Sequence, residues 1–168
     1  IAQAMHQYYK LLRDNCLGNF KTLAKLVSIN PAMLRYLNGY LNSGAAPDEN
    51  YARELQELFT VGKGPDSKFT EDDVKAAARI LTGFRINPLV MPLSYYFDFT
   101  QHDDKDKKFS AFYKNKTIYG RVSILGEYEL DDLITMLFEN VETARHICRK
   151  IYRFFVYYEI DDQIENQI

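Results

Sequence analysis

The 168-residue chain reads as mainly α, a compact multi-helix bundle with a small irregular or β insertion around residues 84–128. Three observations predict this. Helix start and stop signals recur at short intervals through residues 1–83 and again through 129–160. Between those signals, apolar residues recur at three- and four-residue steps. From Phe84 to Tyr128 the helical period lapses, prolines appear at 88 and 92, and β-forming residues cluster in Tyr95-Tyr96-Phe97-Asp98-Phe99-Thr100. The length suits one domain with a real core, so residues 1–168 are expected to form a single domain.

The helices follow in order. Ala2 to Leu17 carries Met5, Tyr8 or Tyr9, Leu12 and Cys16 at helical spacing, and Gly18 breaks it. Asn19 can cap a second helix with Phe20, Leu23, Leu26 and Val27 on one side. Asn30-Pro31 restarts the chain in the favoured order, cap then proline, and Met33, Leu34 and Leu37 give a third helix ending near Gly39. Residues 40–48 are a turn-rich loop.

The stretch Pro47 to Gly62 predicts the central helix. Pro47 and Asp48 start it, Glu49 sits where the helix dipole is positive, and Gly62 stops it. Tyr51, Leu55, Leu58 and Phe59 form its apolar face, while Asn50, Arg53, Glu54 and Glu57 fall on another arc. Thr70-Glu71-Asp72-Asp73 starts the next helix, with Asp73 in place of the usual glutamate of a capping box. Val74, Ala77, Ala78 and Leu81 line one side, Glu71 and Lys75 can pair across a turn, and Gly83 ends it. In the insertion, Phe109 to Tyr113 and Thr117 to Tyr119 are candidate strands joined by a Lys114-Asn115-Lys116 turn. Leu130 to Asn140 is helical again behind acidic Glu129, Asp131 and Asp132. Thr143 to about Tyr158 closes the chain; Ile147, Ile151, Phe154, Phe155 and Tyr158 make it apolar around much of its circumference, so it is expected to lie centrally in the core.

Composition excludes some functions. A formal net charge of −2 gives no electrostatic case for nucleic acid or an anionic membrane. No apolar run approaches the roughly 20 residues of a bilayer span. The chain begins at Ile1 and reads as a piece of a longer protein, with no signal peptide of its own. It holds 13 Tyr and 11 Phe without Trp, and most of these aromatics are expected in the core. Cys16 and Cys148 stand too far apart for a metal knuckle or a redox motif. They are either a staple between the first and last helices in an oxidising compartment or two reduced, buried thiols.

Several of these stretches carry a family pattern. Asn30-Pro31-Ala32-Met33-Leu34, then Pro47-Asp48-Glu49-Asn50-Tyr51-Ala52-Arg53-Glu54-Leu55, then Glu57-Leu58-Phe59-Thr60 and Gly62 stand in its order. Thr70-Glu71 with Asp73-Val74, Ala78-Arg79 with Leu81-Thr82-Gly83, and His102-Asp103 add to it. In combination they resemble the bacterial domain-of-unknown-function family 1800. The chain departs from the pattern at Asp48, where asparagine is common, at Phe84, where tryptophan is common, and in the lysine-rich run after His102-Asp103, where a glycine is expected. The resemblance implies the middle portion of a protein several hundred residues long, with no established activity. It implies an exported protein, periplasmic, envelope or secreted. As partners it implies the remaining segments of its own longer chain and a co-encoded protein that looks like an alkaline-phosphatase-type hydrolase.

Two polar constellations compete for a functional role. The first is the arc Asn50, Arg53, Glu54, Glu57, either a solvated face with an Arg53–Glu57 pair or a carboxylate site. The second is His102-Asp103-Asp104-Lys105-Asp106, either an ordinary charged loop or a metal or acid–base site. As a calcium loop it fails, because Lys108 and Phe109 stand where an oxygen ligand and a glycine belong. His6 and His146 read as surface or packing residues. Serine and cysteine nucleophile motifs and phosphate loops are absent.

Two functions are therefore expected to compete. The favoured one is a structural or interaction module whose polar residues form an internal network. The alternative is a metal- or carboxylate-dependent hydrolase-like enzyme. There Glu54, Glu57, His102 and Asp103 would be the catalytic or metal-binding groups, and Asn50, Arg53 and Arg79 would bind the ligand. Its cofactor would be a divalent metal, with the carboxylates suiting calcium or magnesium better than zinc.

Overall fold

A computed structural model of the chain describes residues 2–165 and 167. The fold is mainly helical, as predicted, with two small antiparallel hairpins between its helical halves. The first half holds α1 (Ala2–Asn15), α2 (Phe20–Ser28), α3 (Pro31–Tyr36), α4 (Glu49–Glu54) and α5 (Glu71–Ile80). Asn19 caps α2 and Asn30 caps α3, each side chain accepting from a first-turn N–H. Asp48 does the same for α4, accepting from the Asn50 N–H at 2.8 Å.

The central helix does not run unbroken to its glycine stop. From Leu55 to Phe59 it widens into a π turn. The side chains explain the change. Thr60 Oγ1 donates to the Leu55 carbonyl, five residues back, at 2.8 Å, and the Gly62 N–H reaches the Gln56 carbonyl at 2.9 Å. Gln56 is drawn fully into the interior, where its Oε1 accepts from the Tyr113 hydroxyl at 2.7 Å. An extra residue in the turn lets these groups be satisfied without leaving the core.

The Thr70 capping box on α5 forms with Asp73, as predicted. Asp73 is buried and also bridges to the insertion: its carboxylate accepts from the Ser110 N–H and hydroxyl, both at 2.7 Å. The predicted Glu71–Lys75 pair is replaced; Glu71 is taken by Arg53 at 2.5 Å, and Lys75 stands 3.5 Å from Asp72.

The insertion starts with β1 (Phe84–Asn87) and β2 (Ser94–Phe97), paired with Phe84 opposite Phe97 and Asn87 opposite Ser94. The predicted strand over 95–100 stops at Phe97 because Asp98 caps a 3₁₀ turn, Phe99–Gln101. β3 (Lys107–Lys108) pairs with β4 (Thr117–Ile118). Between them the expected strand Phe109–Tyr113 is instead a 3₁₀ turn over Ala111–Tyr113, capped by Ser110. The Lys114-Asn115-Lys116 turn is present, with Lys114 and Asn115 both at positive φ.

α6 (Glu129–Glu139) carries Leu130, Leu133, Ile134 and Leu137 into the core, each side chain worth about 1.5–3 kcal/mol of burial. They meet Ala52, Leu55, Val74, Ala77 and Ile80 from α4, the π turn and α5. The chain then turns at Asn140 into α7 (Val141–Phe155) and a short α8 (Asp162–Glu165). Here the sequence expectation fails. α7 does not lie in the core: Ile151, Phe154, Phe155 and Tyr158 are exposed, and Glu142 and Thr143 are its buried residues. The aromatics follow suit, with only Tyr51, Phe84, Phe97, Phe109 and Tyr113 buried among the described residues. Cys16 and Cys148 are both free and exposed, neither stapled nor buried.

Candidate functional site

Of the two constellations, the arc on the central helix is a solvent-side ion network. Arg53 forks onto Glu71, at 2.5 and 3.0 Å, and reaches Glu49 at 3.3 Å and Glu57 at 3.7 Å. Glu57 is also 3.3 Å from Lys63. Asn50 is exposed and Glu54 half-buried. Such pairs each contribute at most about 1 kcal/mol.

The His102 loop is a different kind of place. Arg79, from the last turn of α5, holds Asp103 in a bidentate grip, Nε to Oδ2 at 2.7 Å and an Nη to Oδ1 at 3.0 Å. One turn on, Thr82 is fully buried. Its hydroxyl donates to the Arg79 carbonyl at 2.6 Å and accepts from the Asp103 N–H at 2.9 Å. His102 Nδ1 lies 3.0 Å from the Thr82 carbonyl and 3.1 Å from its hydroxyl oxygen. With the hydroxyl proton already given to Arg79, both partners are acceptors, so Nδ1 carries a proton.

The other side of the ring meets a residue that the sequence presents as an ordinary helix start. His102 Nε2 is 3.2 Å from Glu129 Oε1, in contact but out of hydrogen-bonding line. Glu129 is fully buried at the first position of α6. It accepts from the Arg121 N–H at 2.6 Å and from Lys107 Nζ at 2.5 Å. Lys107, equally buried, also donates to the Asp103 carbonyl. Gly126 packs against the ring so closely that a Cβ there would stand 2.6 Å from His102 Cδ2.

Electrostatics agree with this closure. Burial by itself raises the Glu129 carboxyl. The His102 ring, the Lys107 ammonium and the Arg121 N–H outweigh it and hold the group below the usual carboxylate range. Asp103 behaves alike: burial raises it, and the Arg79 guanidinium with the Lys105 N–H brings it below its ordinary value.

The structure thus brings together three of the predicted residues, Arg79, His102 and Asp103. Among the described residues no hydrogen bond or ion pair joins Glu54, Glu57, Asn50 or Arg53 to them; Arg53 pairs with Glu49, Glu57 and Glu71, and Glu57 with Lys63 as well. Among the described residues no group of three or more His, Cys, Asp or Glu side chains is arranged to hold a metal ion. Chemically, the cluster can fix a loop; its acid–base tips are turned inward, with 1% of the His102 and none of the Glu129 side chain exposed. The cleft of about 570 Å³ elsewhere on the surface is lined by Phe112, Lys114, Lys116, Met136 and Val141 among others, and by none of the candidate residues.

Sequence reasoning missed Thr82, Lys107 and Glu129. Glu129 was visible only as a favourable charge at a helix start, and Lys107 only as one lysine in a charged run. No local signal separates a buried lysine from a solvated one.

A family model described as protein of unknown function, DUF1800, matches residues 1–168. No curated protein and no solved structure matches the chain.

Proposed function

Since the chain belongs to the DUF1800 family of proteins of unknown function over residues 1–168, we propose that it serves as an interaction module. Its body fixes one amphipathic helix with the apolar side outward, for another polypeptide to cover. The observation that carries this is the seam on α7. Val141, Ala144, Cys148, Ile151 and Phe155 alternate at steps of three and four residues, and all five are exposed. That is the spacing of helices packing at shallow angles, and the small residues in mid-seam admit a close neighbour. The polar side of the same helix faces the body, through Glu142, Thr143 and Lys150.

The partner we favour is a helix from the remaining segments of its own longer chain, because a seam spaced for helix packing suits a neighbouring helix. The co-encoded alkaline-phosphatase-like protein is a second candidate. It rests on the family resemblance alone, as does the periplasmic, envelope or secreted location. No helix is long and apolar enough to cross a membrane among the described residues. The hydrolase-like alternative finds no support in a cluster whose acid–base groups face inward.

Cys148 stands in the middle of the seam and supplies the test. Its alkylation rate by iodoacetamide would be compared between residues 1–168 alone and the longer protein. The expected outcome is ready labelling in the first and strong protection in the second. Equal, fast labelling in both would leave the seam bare and end this reading.

A further inference from the structure

α7 is seated on the body by its polar side, and His146 lies at the centre of that contact. The ring rests on Gly62, whose φ is +83° and where any Cβ would run into Nδ1. It faces the carbonyl of Leu58, at the end of the π turn, which also accepts from Lys150 Nζ at 2.6 Å. Nε2 is buried and has no hydrogen-bond partner. The charges acting on the ring are Lys150, Arg149 and Arg153, all on α7. The acids of the surrounding elements, Glu142 on α7, Asp66 in the loop after the π turn and Glu165 on α8, act on Arg149 instead.

We propose that His146 is an acid-sensitive latch: neutral, it seats α7 on the end of the π turn, and protonated, it loosens α7 together with the seam that helix carries. Two physical costs fall on the protonated ring. A proton on Nε2 would be a buried donor without an acceptor. The new charge would also be a fourth cation among Lys150, Arg149 and Arg153. The Leu58 carbonyl works the other way, favouring the charged ring. Burial, the largest influence, and the cations outweigh it, and the ring titrates below the ordinary 6.5. The sign follows: the contact is intact above pH 6.5 and weakens as the pH falls through that value and below. The latch stands whether or not the seam has a partner, so its failure would leave the proposed interaction untouched.

Hydrogen exchange along α7 in the full-length protein, corrected for intrinsic rates, is the test, at about pH 7.5 and about pH 5. Protection over residues 146–155 is expected to fall about tenfold at the lower pH in the natural protein. His146→Gln should abolish the pH dependence. Arg153→Gln, at an exposed position with no part in seating the helix, should make the fall smaller. No fall in the natural protein would overturn the latch, as would a fall of the same size in His146→Gln. Should His146→Gln fail to fold, an Arg153→Gln protein with an unchanged fall would overturn it equally.

Discussion

Around His102 the protein buries charge, whereas along α7 it leaves aliphatic and aromatic side chains in water. Lys107 and Glu129 have no exposed side-chain surface, while Phe154 and Phe155 are 80% and 76% exposed. Polarity alone therefore does not decide burial; the availability of partners does. Glu129 has a cation, a backbone N–H and an imidazole within reach, so its desolvation is offset. The seam of α7 has no comparable neighbour among the described residues. Its polar side has one in the end of the π turn, with the Leu58 carbonyl accepting from Lys150 and the side-chain-free face of Gly62 taken up by the His146 ring.

Removing one partner from the buried cluster strains this contrast most. Lys107→Met would strand the Glu129 carboxylate without its cation and should cost about 3–5 kcal/mol in urea unfolding. Adding Glu129→Leu to the same protein should restore most of that loss. If the double variant is no more stable than the single one, the cluster is not held by mutual compensation.

Acid probes the same cluster more gently. Glu129 and Asp103 sit below their ordinary values of 4.5 and 3.8, so their contribution is present above those values and is lost as the pH falls through and below them. Urea midpoints measured down to acidic pH should drop through this window in the natural protein and less steeply in Glu129→Gln. Parallel curves would show that Glu129 titrates no differently on folding.

The least change is expected on α7. Ile151→Ser and Phe155→Ser should alter the stability of this chain by no more than about 0.5 kcal/mol, since neither side chain is buried. A loss of several kcal/mol in either would place the seam inside the folded body and erase the contrast.

Much of the local structure was legible before the fold was known. Asn19, Asn30, Asp48 and the Thr70–Asp73 box all cap where their positions predict, because a cap needs only an acceptor and an N–H two or three residues away. Half of the polar cluster was legible too, since Arg79, His102 and Asp103 are unusual enough to single out. Lys107 and Glu129 were not, because each looks like any charged residue in its own segment.

The set of helices, their caps and the place where helical order lapses all follow from interactions within a few residues, and so can be read along the chain. Three other features cannot: the widening of the central helix at Leu55 to satisfy Gln56 and Thr60, the choice of which charged residues are buried, and the way α7 faces. These depend on groups far apart in the chain: Tyr113 meeting Gln56, Lys107 meeting Glu129, Lys150 meeting Leu58. The periodicity of a helix states that it has two sides, and the supply of partners for each side, set by the rest of the fold, states which one turns inward.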